Sequence, residues 1–276
     1  MSAIRALSAA CVAFLLLAVP ALAQPPEPDE VGPKKIVLDG GNATLDLPEG
    51  FAYYGKAKTR KILEESEGVS DDSDIGIVVG TAEEDEFAIF LSYEKTGYVK
   101  DDEAGKLDAE AILKSLKEGT EAANEERRKR GIAELHVKDW AEAPRYDKAQ
   151  HQVVWAVRGV GSDGEVINYN TRVLGREGVL SENLVTDPGH LDRAKPKVAE
   201  ILAATRYNEG KRYEDYKPGD KVAEYGLMGL ILGSLALSKG GIFKAILAFV
   251  LAFKKVIILG VVGLGAMLGK VLGRKS

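Results

Sequence analysis

Cysteine is almost missing from this chain. The only one in 276 residues is Cys11, inside an opening hydrophobic stretch. The rest of the protein therefore has no disulfide, thiol nucleophile or cysteine metal site. Histidine is nearly as scarce: His136, His151 and His190 include no i, i+4 pair and so give no zinc-type spacing. They read as surface or turn residues. There is no G-x-S-x-G elbow, no G-x-x-x-x-G-K-[ST] loop and no H-E-x-x-H. The acidic run Asp71-Asp72-Ser73-Asp74 lacks the alternating oxygen ligands of a calcium loop. Ser162 and Ser181 have no local base signature, and none of the many carboxylates is singled out as a pair. No internal repeat is present. No cofactor, metal or catalytic residue is implied.

A long uninterrupted apolar run is also lacking, although the last part of the chain comes close. Three runs, Tyr225–Leu237, Ile242–Phe253 and Val256–Gly269, are separated by Lys239, Lys244 and the pair Lys254-Lys255. A crossing helix needs about 20 apolar residues, and Lys254 or Lys255 at the bilayer centre would cost roughly 2.5–3.5 kcal/mol each. The pattern predicts a membrane anchor over residues 222–276. One helix would run from Tyr225 to Phe243 with Lys239 snorkelling, and a second from Val256 to Leu272. A helical hairpin is favoured over a single pass whose second half lies on the inner leaflet. Gly229 with Gly233, and Gly265 with Gly269, have GxxxG spacing that permits homo-oligomer contact through the membrane helices.

The opening residues read as a secretory signal peptide over 1–23: Arg5, the apolar stretch Ala6–Val19, and an Ala21-Leu22-Ala23 cleavage site. Signal and anchor together imply a bacterial inner-membrane protein with its domain in the periplasm. The net charge of −5 hides an asymmetry. Eight Lys or Arg against one Glu lie from Lys221 onward, and Arg5 alone is charged in the first 23 residues, which leaves −13 for residues 24–220. An acidic domain on a basic tail suits an anionic lipid bilayer and excludes nucleic acid as a partner.

Between signal and anchor, residues 24–34 (P-P-E-P-D-E) read as a flexible lead-in. Residues 35–207 read as one α+β domain with an antiparallel β-sheet of about seven strands and two or three helices. Its strongest helix spans Asp108 to Arg130, with an inner stripe of Ile112, Leu113, Leu116, Thr120 and Ala123. A meander follows, in which Ile167, Tyr169, Thr171 and Val173 share one face and Asn168, Asn170 and Arg172 the other. Residues 208–221 read as a polar, tyrosine-bearing linker.

Two groups are candidate contacts for an envelope protein or ligand. Trp140, Arg145, Tyr146 and Asp147 cluster in W-A-E-A-P-R-Y-D; an arginine beside aromatics can hold a carboxylate or phosphate, and Arg145 can equally pair with Asp147 at a hairpin corner. Asn168, Asn170 and Arg172 form a polar stripe, which can equally be a solvated face.

The runs E-G-T-E-A-A-N-E-E-R-R-K-R-G, W-A-E-A-P-R-Y-D-K, N-Y-N-T-R-V-L-G-R-E-G-V and N-E-G-K-R-Y-E-D-Y-K-P-G-D-K-V-A-E-Y-G resemble a family of uncharacterised bacterial membrane-anchored proteins with a domain of unknown function. That resemblance implies an envelope protein and carries over no activity. The D-L-P-E-G-F segment and the order of elements are similar to the Mog1/PsbP-like layout. Three readings follow: a non-enzymatic envelope module, an oligomer assembled by its glycine-rich tail, and a tethered hydrolase that would need two facing acids in a cleft.

Overall fold

The computed structural model describes residues 26–67, 72–82, 85, 87–129, 133–161 and 164–232. Its elements in order are β1 (Glu30–Val31), β2 (Lys34–Leu38), β3 (Ala43–Leu47), β4 (Phe51–Gly55), α1 (Lys56–Glu67), β5 (Asp74–Gly80), β6 (Ala88–Glu94) and α2 (Ala109–Lys129). There follow β7 (His136–Asp147), β8 (Gln152–Gly161), β9 (Gly164–Leu174), β10 (Val179–Thr186), α3 (Leu191–Ala204), β11 (Thr205–Tyr207) and α4 (Leu227–Leu232).

Side-chain alternation builds the centre. The main sheet has eight strands in the order β1-β4-β5-β6-β10-β9-β8-β7, and every neighbouring pair is antiparallel. On one face Val154, Ala156, Ile167, Tyr169, Leu180, Leu184, Ile89 and Leu91 are buried under Val198 and Ile201 of α3. On the other face α1 covers Ala52, Tyr54, Ile77 and Val79 at one end. Ile112 and Leu116 of α2, with Leu227, Leu230 and Ile231 of α4, cover Val153, Trp155 and Val157 at the other end.

Helix α2 begins where the sequence places it. The Asp108 carboxylate accepts from the Glu110 and Ala111 N–H groups at 3.1 and 3.0 Å, which satisfies two of the orphan donors at a helix start. Strand β7 holds Pro144 because it is the sheet's edge, where a missing N–H breaks no ladder. Its register slips on both sides of Glu142.

The structure corrects four expectations. The strands do not all join the one expected sheet. β2 and β3 form a second sheet with β11, packed into the same core as α3. The lead-in is not a free tether throughout: Glu30 and Val31 pair with Tyr53 and Ala52, and the Asp29 carboxylate accepts from the Gly55 N–H at 2.7 Å. Residues 208–221 are part of the domain. Tyr213 is buried, and Arg176 grips Asp220 through Nε at 2.7 Å and Nη2 at 2.8 Å.

Finally, Tyr225 and Gly229, placed at the start of a membrane helix by sequence, belong to this fold. Gly229 is in α4, and Tyr225 packs against the same cluster as Leu227, Leu230 and Ile231. The apolar face of α2 gives these side chains a dry partner, and burial of each is worth roughly 1.5–3 kcal/mol. Gly233, Lys239, Lys254, Lys255, Gly265 and Gly269, and with them the rest of the expected hairpin, lie outside the described residues, as does the expected signal peptide. Among the described residues no helix is long and apolar enough to cross a membrane.

Candidate functional site

The β7–β8 turn carries a histidine that the surrounding chain orients. The Asp147 carboxylate accepts from the Ala149 and Gln150 N–H groups at 2.8 and 3.2 Å, which folds the turn. His151 then takes a φ of 49°, a left-handed conformation that histidine enters more readily than most residues. Tyr146, just before the turn, donates its hydroxyl proton to Asp101 Oδ2 at 2.8 Å. The Tyr146 hydroxyl oxygen also lies 3.1 Å from His151 Nδ1. Since the tyrosine's single proton is donated to Asp101, the ring nitrogen is the donor in the second contact. That assigns the Nδ1–H tautomer and leaves Nε2 as the acceptor. Burial, and next the neighbouring Asp101 carboxylate, push the Tyr146 phenol well above its usual range, so it stays protonated and holds this order.

Behind His151 stands a column of four rings. His151 and Tyr213 are 4.2 Å apart between centroids, Tyr213 and Tyr98 4.4 Å, and Tyr98 and Tyr216 4.3 Å. Three separate stretches of chain supply them. The loop after β6 is pinned by the Tyr98 N–H to the Lys221 carbonyl at 2.8 Å, and by the Ala223 N–H to the Tyr98 carbonyl at 2.9 Å. That approach requires Gly97: its φ is 94°, and a Cβ there would lie 2.6 Å from the Lys221 oxygen. Tyr213 is locked by its hydroxyl donating to the Val99 carbonyl at 3.0 Å. Stacked aromatic pairs add about 0.5–1.5 kcal/mol each beyond burial, so the column fixes the wall in place.

The wall faces a cleft of about 520 Å³ between the β7–β8 turn and the end of α3, whose lining includes His151, Gln152, Thr205, Arg212, Tyr213 and Glu214. It offers donors, acceptors and ring surface together. That mixture suits reversible binding of a polar ligand or peptide.

The residues singled out by sequence fall in different places. Tyr146 is in the relay. Trp140 shares its face of the sheet and donates its indole N–H to the Ala109 carbonyl at 3.0 Å, under the start of α2. Arg145 points the other way and pairs with Glu142 at 3.1 Å, not with Asp147, whose carboxylate is taken by the turn. Lys195 reaches the same Glu142 at 2.7 Å. Asn168 and Asn170 are 1% and 2% exposed, so the polar stripe is not a solvated face. It lies on the sheet face that carries α1 and α2. Sequence reasoning missed Asp101, His151 and the tyrosine column. The only local signal was the spacing Tyr207, Tyr213, Tyr216, which by itself also fits a linker.

A family model for a protein of unknown function, DUF2167, matches residues 30–265. This chain belongs to that family. The match to the DUF2167 model takes in the whole described domain and continues into the apolar runs beyond Leu232. No curated protein matches this DUF2167 member. Among solved structures it is similar to the cyanobacterial PsbP protein (CyanoP) of Synechocystis sp., at 10% identity over 63% of this chain and 92% of that one, TM-score 0.37. It is also similar to a Bacteroides thetaiotaomicron protein, at 10% identity over 64% of this chain and 48% of that one, TM-score 0.33. A Pseudomonas aeruginosa protein of unknown function aligns at 11% identity over 61% of this chain and 92% of that one, TM-score 0.23. No function is carried over from these likenesses.

Proposed function

We propose that this DUF2167 protein is a non-enzymatic envelope module. Its tail attaches it to the inner membrane, and its domain faces the periplasm and binds a partner at the cleft beside His151. The observation that carries the reading is the seating of the segment just before the tail. α4 places Leu230 and Ile231 in the domain core. The chain then continues at Gly233 into apolar sequence punctuated by lysines. With Tyr225–Leu232 held on the domain, the first arm of a hairpin retains only residues 233–243, well short of the roughly 20 a crossing needs. Attachment through Ile242–Phe253 and Val256–Gly269, lying in one leaflet with their lysines at the headgroups, fits this geometry better than two full crossings.

The hydrolase reading finds no support. Of the carboxyls whose acidity the described structure shifts, only Glu182 moves up, to about 8. It is enclosed in the core, with no second acid acting on it.

Fractionation tests the proposal. The tagged full-length chain should sediment with membranes and resist alkaline carbonate, while a chain ending at Leu232 should be released in folded form. External protease on spheroplasts should digest the domain. A full-length chain that stays in the soluble fraction, or a domain protected in spheroplasts, would overturn the assignment.

A further inference from the structure

The face of the main sheet that carries α1, α2 and α4 is apolar at both ends and polar in the middle. Hydrophobic clusters lie under α1 on one side and under α2 with α4 on the other. Between them, neighbouring strands place polar residues side by side. Arg172 of β9 faces Ser181 of β10, and Asn170 faces Asn183. On the other side of β9, Trp155 of β8 faces Asn170. Trp155, Asn168 and Ser181 are each 1% exposed, yet the indole N–H, Asn168 Oδ1 and Ser181 Oγ have no hydrogen-bond partner among the described residues. Buried polar atoms are almost always satisfied. The three orphans lie on one face of β8, β9 and β10, grouped about Arg172 and Asn170, and are donors and an acceptor open to another molecule.

The charge at this place says what kind. The Arg172 guanidinium lies 5.0 Å above the Trp155 ring. Its Nη1 donates to Asn183 Oδ1 at 2.6 Å and to the Thr171 carbonyl at 3.2 Å. Its Nε–Nη2 edge meets no acceptor, and no carboxylate pairs with it, among the described residues. Burial pulls this arginine down to about 10, the mark of a cation short of counter-charge. Water can fill hydrogen-bond vacancies, but it brings no counter-charge to this half-buried cation.

We propose that this strip is a binding site for a small carboxylate, taken by the free edge of Arg172 with Ser181 Oγ and the Trp155 indole N–H as further donors. A planar monoanion matches that edge in two parallel hydrogen bonds. A phosphate dianion would set two negative charges against one cation, with the Glu94 charge already acting on Arg172. The mouth is at Arg172 and Asn183, which are half-buried while Asn168, Asn170 and Ser181 are enclosed. Asn168 Oδ1, deeper along the strip, is an acceptor. It favours an acid that also carries a hydroxyl or amino group. This site is independent of how the tail meets a membrane.

The test uses the full-length protein in a non-ionic detergent, with thermal unfolding followed against acetate, lactate and glutamate. Phosphate and chloride at equal ionic strength are the controls. Wild type should show a saturable rise in midpoint with at least one of the carboxylates and none with the controls. Trp155→Phe keeps an aromatic face but loses the N–H together with the fused five-membered ring, and should weaken half-saturation at least about tenfold, the usual effect of one hydrogen bond to a charged group. Arg172→Gln should abolish the response. Carboxylates acting no better than chloride would overturn the proposal. So would phosphate binding as well as they do, or Trp155→Phe responding like wild type. The last outcome decides the matter even if Arg172→Gln fails to fold.

Discussion

Replacing Glu182 by methionine should make the protein more stable at neutral and alkaline pH. Glu182 sits in β10 between Leu91 of β6 and Thr171 of β9, is 0% exposed, and neither carboxyl oxygen has a hydrogen-bond partner. Burial raises its pKa from 4.5 to about 8. The Thr205 side chain, the one neighbour that favours the ionised form, already donates its hydroxyl to the Ile201 carbonyl at 2.8 Å.

The sign follows from proton counting. Between pH 4.5 and about 8 the folded protein holds a proton that the unfolded chain has released, so stability is greatest below that window and falls as pH rises through it. One pKa unit is worth about 1.4 kcal/mol, so the loss is roughly 3 kcal/mol by pH 7 and roughly 5 kcal/mol above pH 8. Glu182→Met removes this slope and leaves an apolar side chain of similar volume. Urea midpoints measured from pH 4 to 9 should converge between wild type and variant at the acid end and separate steadily toward the alkaline end. Parallel curves would show that the carboxyl is ionised and compensated in the fold, and would refute the argument. Glu182→Gln, which cannot ionise, should give the same flat profile at lower overall stability, because its amide is left unsatisfied.

Tyr98→Ala removes the ring in the middle of the column and should cost about 3–5 kcal/mol, read as a urea midpoint, whereas Tyr98→Phe should cost less than about 1 kcal/mol because the stack survives. Gly97→Ala puts a Cβ 2.6 Å from the Lys221 carbonyl oxygen at a φ of 94°. It should destabilise by about 1–3 kcal/mol and speed amide exchange at Tyr98 and Ala223. Leu227→Ala should destabilise the domain itself by about 2–5 kcal/mol, even in a chain ending at Leu232; no effect there would return the segment to the membrane. The Arg176 guanidinium holds Asp220 at about 2 against an ordinary 3.8. The contribution of that pair should therefore be complete above pH 4 and fade as acid protonates the carboxylate, and Asp220→Asn should flatten the acid limb of the stability curve.

What could be read in advance was local. The alternation in β9 correctly sorts Ile167, Tyr169 and Thr171 from Asn168, Asn170 and Arg172, because period two depends only on backbone geometry. Whether a polar face meets water or the interior is decided by helices that lie far away in sequence, and the stripe gave no sign of that. Helix α2 announced both its cap and its inner residues. The second sheet did not announce itself, since β11 finds β3 about 160 residues earlier (Thr205 faces Leu45). The relay has the same origin: Asp101 and His151 read as ordinary surface residues, and Tyr146 only as part of the W-A-E-A-P-R-Y-D cluster, until the loop after β6 meets the β7–β8 hairpin. Charge and tyrosine in residues 208–221 look like a linker when their partners, Arg176, Tyr98 and Val99, are out of view. In the same way the run from Tyr225 looks like lipid-facing sequence when the apolar stripe of α2 is ignored.

The route by which the chain leaves the fold has a mechanical side. α4 rests on α2, and just before it Val222 lies beside Tyr98 in a single parallel bridge. A pull on residue 233 therefore does not load the eight-stranded sheet directly. It peels α4 from α2 first, then opens the bridge at Tyr98, and then draws Tyr216 and Tyr213 out of the ring column one after another. Contacts that break in series resist far less than strands sheared in parallel. Tension on the tail would thus lengthen the tether in small steps and strip support from His151, long before the sheet itself gave way.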